Sequence, residues 1–599
     1  MTEPGDISDL VYADRYAWPG ESLRIDTYRR VAIALAAREA GPERERHAAL
    51  FLENFLAGAI GAGRIMANAG AADGDGDGGA TMVNCFVQPA IDPGLGWPQG
   101  LDAALARAVR TMSMGGGVGY DFSPVPPADS GAGRGGACAV IDRYDQACQA
   151  LATPARRRRG AQMGVLACDH PDLPAFLRAK AGRRRWPTLN LSVALSDRFL
   201  RAVENDEAWT LRHACPPAGG QASQRGVRGD DGTWPYARLP ARRLWEALTA
   251  AACRDAEPGV LFVDTINALN PLRDSERLSA TNPCGEQPLP PHGSCVLGPI
   301  NVSRFVRNPF GANGPPGFDF SELGRRVRIQ VRLLDNVLDL TRWPLPEQAA
   351  EAQAKRRIGV GLSGLGDALL MLRLDYGSPA ARVFAARIAR CIRDQAYLAS
   401  AGLAAERGVF PAYAPRPYLE PRAGWPPLPP AVQVAIRRHG LRNSHLVSFA
   451  PTGSVSIAFF DNCSTGIEPA HAWQYRRRLR IGEAPARNVV AQNPAWRLWR
   501  RLHGDGDELP PYFRRAADIA PSAHIAMLAA LQPWVDAAIS KTVPLPPECT
   551  AAEVGALFLQ AWRLGVKGLT VFRPDPRMPA VLEPARHEGQ TGPAAPAAA

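Results

Sequence analysis

The stretch ATNPCGEQPLPPHGSC, residues 280–295, places two thiols, a carboxylate, an amide and an imidazole in a segment too rich in proline and glycine for regular structure. Glu286, two residues beyond Cys284, is positioned to act as an acid or base beside a thiol, and Pro283, Pro288, Pro290 and Pro291 stiffen the segment that carries both. Zinc is the weaker option, because the spacing C-x7-H-x2-C through His292 to Cys295 matches no common ligand pair and lacks an evident fourth ligand. A buried cysteine in a surface turn fits the residue types equally well. On chemistry alone these readings stay open.

A second candidate is SFAPTGSVSIAFF, residues 448–460. An apolar strand ends at Pro451, and Thr452, Gly453 and Ser454 open a helix; hydroxyls and free amides at that position attract phosphate, although an ordinary N-cap uses the same residues. DNCSTGIEP, 461–469, adds polar groups at the same strand end. Other motifs carry less. GVGLSG, 359–364, satisfies GxGxxG, but the preceding QAAEAQAKRR reads as helix rather than strand, so tight helix packing is the expected role. SMGGGVGY, 113–120, suits a tight turn or close backbone approach to a ligand. In AADGDGDGGA, Asp73, Asp75, Asp77 and Gly78 mimic half an EF-hand, but Asn84 stands where the closing glutamate is required, which excludes calcium.

The elements that must position these groups follow from periodicity. Residues 22–66 carry helical apolar spacing and predict an N-terminal helical region, 1–70. From 81 to 573, strand-like runs (TMVNCFVQP, TLNLSVAL, GVLFVDT, SHLVSFA, GLTVF) alternate with helical stretches such as FSELGRRVRIQVRLLDNVLDLTRW and VFAARIARCIRDQAYLASAGLAAERG, the pattern of an α/β fold with parallel strands. Residues 215–234 and 415–431 read as surface excursions, and 579–599 as a disordered Pro/Ala-rich tail.

Hydrophobic residues make up 46% of the 599 and charged residues 21%, an ordinary globular composition. No long uninterrupted apolar run offers a membrane span, and the first residues lack a signal-peptide pattern, so a cytoplasmic chain without membrane partners is expected. The net charge of +11 is mostly scattered arginine, with lysine only at 180, 355, 541 and 567; a solvated surface is expected rather than a nucleic-acid stripe. The eleven cysteines contain no CxxC pair, so most are expected reduced and buried.

NPCGEQPLPPHGSCVLGPINVSRF resembles the active-site finger loop of ribonucleotide reductase large chains of the adenosylcobalamin-dependent, class II type. NCFVQP, GGGVGYDFS, RRGAQMGVL, LDNVLD, RRIGVGLSGLGDAL, APTGSVS, DNCSTGIEP, SKTVPLP and AWRLGVKGLTVFR continue the resemblance in the family's order, across roughly residues 60–573. It implies a ten-stranded α/β barrel over 81–573, made of two five-stranded halves with the finger loop at its centre. It implies Cys284 as the thiyl radical site with Asn282 and Glu286 beside it, Cys85 and Cys295 as the reducing dithiol that becomes a disulfide, and Thr452, Gly453 and Ser454 as the substrate-phosphate loop. It further implies a deoxynucleotide or ATP specificity effector near Asp92, Arg158 and Arg159, a thioredoxin-like reductant, and a homodimer.

The expected reaction is reduction of ribonucleoside diphosphates with adenosylcobalamin as cofactor. Class I large chains receive their radical through two adjacent tyrosines, but Thr570 and Val571 stand at those positions. The remaining alternatives are a class I-like chain needing a radical-generating subunit and a degenerate nucleotide-binding relative. The family commonly ends in a cysteine pair, whereas the last cysteine here is Cys549, and no ATP-cone-like segment is read at the N-terminus.

Overall fold

The computed structural model describes residues 7–70, 79–132, 135–151, 160–181, 185–219, 227–479, 487–504, 506, 508–574 and 582–584. Five strands lie side by side in parallel: β1 (Cys85–Pro89), β2 (Gly117–Asp121), β3 (Gln162–Ala167), β4 (Leu189–Leu195) and β5 (Gly259–Phe262). They are buried along almost their whole length, as parallel strands are when both faces of a sheet are covered. In the second half of the chain β6 (Ser294–Asn301) is parallel to β7 (Ile358–Ser363), and β8 (Thr542–Pro544) to β9 (Gly568–Phe572). The two sets meet at antiparallel seams, β1 against β6 and β5 against β9, in a nine-stranded sheet ordered β7-β6-β1-β2-β3-β4-β5-β9-β8.

The family resemblance implies ten strands, and among the described residues the main sheet has nine. The difference lies in SHLVSFA, where residues 445–450 make single parallel bridges, Val447 to Val360 in β7 and Phe449 to Ile539 just before β8. Hydrogen bonds run to both sides, Ser448 N to Val360 O at 3.1 Å and Phe449 N to Ala538 O at 3.2 Å. A continuous ladder does not form because the Asp536 carboxylate accepts the amides of Leu446 and Val447, at 2.8 and 2.9 Å.

Between β5 and β6 the chain makes a narrow hairpin, Ala280–Thr281 pairing antiparallel with Pro288–Leu289, which passes across β2. Contact is so close that a Cβ on Gly119 would lie 1.8 Å from the Thr281 carbonyl oxygen. Because that obstacle is backbone, Gly119→Ala is expected to cost about 3 kcal/mol or displace the hairpin. A thermal melt with a parallel activity assay checks it; a variant matching the original in both would remove Gly119 as the reason the hairpin sits where it does.

The outer face is covered by Phe320–Leu340, whose N-terminus is capped by Asp319 accepting from Glu322 N at 3.0 Å, and by the 29-residue helix Pro379–Arg407. Both match the helical stretches read from the sequence. The N-terminal residues form helices Ile7–Arg15, Arg24–Ala36, Glu43–Leu56 and Gly63–Asn68. Buried ion pairs tie them to the outer helices: Glu39 accepts from Arg407 at 2.7 Å and Arg332 at 3.0 Å.

One reading is corrected. Gly359 and Gly361 of GVGLSG lie in β7 and pack no helix; a Cβ on Gly361 would stand 2.6 Å from the Ser448 carbonyl, so these glycines admit the 445–450 segment. Residues 415–431 run mostly over the surface, as expected, and are anchored by buried Tyr418, Trp425 and Leu428, with Arg422 over the Trp425 ring at 4.6 Å. The anchors were not read from the sequence because single aromatics have no period. Leu582–Pro584 pairs with strand Gln474–Leu479; most of 579–599, and residues 71–78 of the acidic loop, lie outside the described residues.

Candidate active site

The hairpin that crosses β2 carries Cys284 at its tip. Gly285 takes φ +84°, which turns the chain back sharply, and its amide donates to the Asn282 carbonyl at 3.1 Å. The Asn282 side chain closes the turn, accepting from Gln287 N at 3.0 Å. Neighbouring strands fix the tip from outside: Asn190 Nδ2 donates to the Pro283 carbonyl at 2.9 Å, and Ser448 Oγ and Ala538 N both donate to the Glu286 carbonyl at 3.0 Å. Of the eleven cysteines only Cys284 is exposed. Stiffness here has a rate consequence, because misplacing a reactive group by ~1 Å can cost ~100-fold.

Behind the tip lies a buried cluster. Asn282 Nδ2 donates to Glu286 Oε1 at 2.8 Å and approaches Cys85 Sγ at 3.2 Å; the Cys85 thiol points to the same Glu286 oxygen at 3.8 Å. Among the described residues Glu286 Oε2 has no hydrogen-bond partner. Burial penalises the charged carboxylate and pushes its pKa from 4.5 up to about 7, against the smaller opposing effect of its hydrogen bonds. Glu286 can therefore take and return a proton near neutrality. Burial, and then the nearby Glu286, raise the pKa of Cys85; burial also raises that of Cys295. Both thiols thus stay protonated at neutral pH.

Cys85 opens β1 and Cys295 is the second residue of β6, and the antiparallel register places them directly opposite one another. Opposed residues in such a pair have Cα atoms ~4.5–5.5 Å apart, inside the ~4.4–6.8 Å range that a disulfide spans. Among the described residues no group of three His, Cys, Asp or Glu side chains could hold a metal ion.

A cavity of about 270 Å³ joins this cluster to the second candidate motif. Its lining includes Cys284, Cys85, Asn282 and Glu286 on one side and Thr452, Gly453 and Ser454 on the other. Gly453 begins the helix Gly453–Phe459. Thr452 Oγ1 meets Ser363 Oγ at 2.9 Å and accepts from Gly466 N at 3.3 Å, while Ser454 Oγ meets Tyr16 Oη at 2.7 Å. The N-terminal helices therefore hold the loop in place, a role not visible in the sequence.

A family profile for the ribonucleotide reductase barrel domain matches residues 83–572. The chain belongs to the ribonucleotide reductase family. It is 36% identical over 531 residues to the vitamin B12-dependent ribonucleoside-diphosphate reductase of Mycobacterium tuberculosis (strain CDC 1551 / Oshkosh), covering 84% of this chain and 69% of that protein. It is 29% identical over 526 residues to the protein of the same name from Thermoplasma acidophilum, covering 83% of this chain and 62% of the relative.

The remaining residues fall as follows. Asp92 lies in the loop after β1, where the Gly94 amide at 2.8 Å and the Arg107 guanidinium hold its carboxyl below the usual range. Arg158 and Arg159 lie outside the described residues. Thr570, in β9, meets Thr542 Oγ1 at 3.2 Å through its own hydroxyl. Sequence reasoning missed Asn190, Ser448 and Arg64, of which Arg64 lines the cavity from GAGRIM. The signal for Arg64 was a lone cation between glycines and an apolar pair, a weak one. No described helix is long and apolar enough to cross a membrane.

Proposed function

We propose that this chain reduces ribonucleoside diphosphates to 2′-deoxyribonucleoside diphosphates by a thiyl-radical route dependent on adenosylcobalamin, in the cytoplasm. The observation that carries the reading is a single exposed thiol, Cys284, sharing one cavity with Asn282, Glu286, Cys85 and the Thr452–Ser454 loop. The residues fit the cofactor: Gly116, Gly117 and Ala161, which would hold it, line the cavity shared with Cys284 and present only backbone and one methyl group. Adenosylcobalamin, when bound, supplies the organic radical chemistry that side chains lack. Thr570 and Val571, in place of tyrosines, count against a radical delivered by a second subunit.

Within this reading Cys284, as a thiyl, takes the ribose 3′-hydrogen. Glu286 accepts the 3′-hydroxyl proton, Asn282 orients the hydroxyls, and the departing 2′-hydroxyl leaves as water with a proton from Cys85. Cys85 and Cys295 provide the two electrons and end as a disulfide, the Cys295 hydrogen going to the 2′-carbon and the proton on Glu286 back to the 3′-oxygen, after which Cys284 returns its hydrogen to the 3′-carbon. A thioredoxin-like dithiol restores the pair by thiolate exchange.

The finer architecture belongs to the same proposal: a barrel of two parallel five-stranded halves, closed by 445–450 as an interrupted tenth strand, preceded by the 1–70 helical region. The parallel bridges on both sides of that segment support it. Homodimerisation and an effector at Asp92, Arg158 and Arg159 are carried over from the family resemblance.

The test is an assay with adenosylcobalamin and no second protein, comparing a small dithiol with thioredoxin. Deoxynucleotide is expected, and enzyme that has turned over without reductant should yield one peptide pair cross-linked through Cys85 and Cys295 by mass spectrometry. Absence of product with both reductants overturns the proposal.

A further inference from the structure

The cavity that joins Cys284 to Thr452, Gly453 and Ser454 is lined, among the described residues, by one cationic side chain, Arg64, and by one carboxylate, Glu286. Arg64 is built into this position. Where β1 leaves β6, the chain at 58–62 takes its place: Ile60 N donates to the Pro299 carbonyl at 3.1 Å, Ala62 N to Leu297 at 2.9 Å, and Asn301 N to Gly58 at 2.8 Å. The amide of Arg64 itself donates to Asn84 Oδ1 at 3.3 Å, one residue before Cys85.

Both ends of the residue are seated by glycine. A Cβ on Gly115, which holds φ +96°, would stand 2.8 Å from Arg64 Cζ and 2.9 Å from Nη1, so that glycine makes the space for the guanidinium. A Cβ on Gly63 would be 3.2 Å from Tyr16 Oη and 3.6 Å from Val455 Cγ2, and the same Tyr16 hydroxyl bonds Ser454. Arg64 therefore follows directly on backbone that abuts the loop ascribed to the phosphates.

The hydroxyls and amides of that loop are neutral, and a nucleoside diphosphate brings several negative charges into a partly enclosed space. We propose that Arg64 is the cationic partner of the substrate's phosphate groups and sets the preference for phosphorylated over phosphate-free nucleoside, an inference that rests on reading Thr452, Gly453 and Ser454 as the phosphate loop. A guanidinium suits the task because its planar donors match phosphate oxygens in pairs.

Calorimetric titration of the full chain with CDP and with cytidine tests this without turnover. Arg64→Gln should weaken CDP binding by ~10- to 100-fold and leave cytidine binding unchanged, while Arg64→Lys should retain most of the CDP affinity. In the assay with adenosylcobalamin, Arg64→Gln should raise KM with little change in kcat and no change in the cofactor concentration giving half-maximal rate. Thermal melting of both variants checks that they fold; if Arg64→Gln does not, Arg64→Met takes its place, with the same loss of CDP affinity and unchanged cytidine affinity expected and the same outcomes overturning the assignment. Equal weakening for CDP and cytidine, unchanged CDP affinity, or a raised cofactor requirement with CDP affinity intact each overturn the assignment. If the unsubstituted chain binds CDP no better than cytidine, the phosphate-loop reading fails and Arg64 with it; if it discriminates and Arg64→Gln does so equally, only Arg64 fails.

Discussion

Cys284→Ser is expected to reduce deoxynucleotide formation to background while leaving the fold and nucleotide binding intact. The sulfur is at the tip of a hairpin closed by Gly285 and Asn282, and it is the one exposed cysteine of eleven. The side chain is exposed and the exchange of sulfur for oxygen is small, so stability should change by no more than ~0.5 kcal/mol. Chemistry changes completely, because a serine O–H bond is far harder to break homolytically than a thiol S–H bond. The measurement pairs a product assay with a CDP titration and a thermal melt. Substantial residual turnover in the serine variant, with adenosylcobalamin present, would falsify the assignment of the radical to Cys284. Loss of nucleotide binding together with activity would instead make Cys284 a binding residue.

Glu286→Gln is expected to lower kcat/KM by ~10²- to 10⁴-fold, the usual contribution of a positioned general base. The amide is nearly isosteric and its oxygen can still accept from Asn282, so the geometry of the tip is preserved. Wild-type kcat/KM should rise with pH through an apparent pKa of about 7, since Glu286 works as a base only when deprotonated and burial has moved that step up from 4.5. The glutamine variant should lack this limb. Stability runs the other way: the folded pKa lies above the unfolded one, so Glu286 costs the fold nothing at low pH and progressively more as pH rises from about 4.5 toward 7. The variant should accordingly be at least as stable as the wild type at pH 8. A pH profile unchanged by the substitution would assign the limb to another group.

How much of this was legible without coordinates depended on whether a function used neighbouring residues. Cys284, Asn282 and Glu286 stand within five residues, so their grouping needed no coordinates, while the contact of Asn282 with Cys85 and Glu286 is a finding of the structure. Gly119, Asn190 and Ser448 escaped because each supports the hairpin from a different strand, and nothing in their local sequence refers to the residues they hold. Strand reading succeeded for GVLFVDT and GLTVF, where apolar runs are short and bounded. It failed for GVGLSG, because strands buried on both faces need no alternation and glycine there serves a neighbour's backbone. The segment 445–450 looked like an ordinary strand, and nothing in its own residues shows that the distant Asp536 carboxylate takes two of its amides.

The opposition of Cys85 and Cys295 across the seam has a mechanical side as well. The two thiols are 210 residues apart in the chain, and the strands bearing them belong to different halves of the sheet. On the proposed mechanism each oxidation would suture one half to the other with a covalent bond, worth on the order of 5 kcal/mol against unfolding by chain-entropy reasoning. Each reduction would cut the stitch. The enzyme would then alternate, once per product, between a cross-linked and an unlinked body, and the exhausted form waiting for its reductant would be the sturdier of the two.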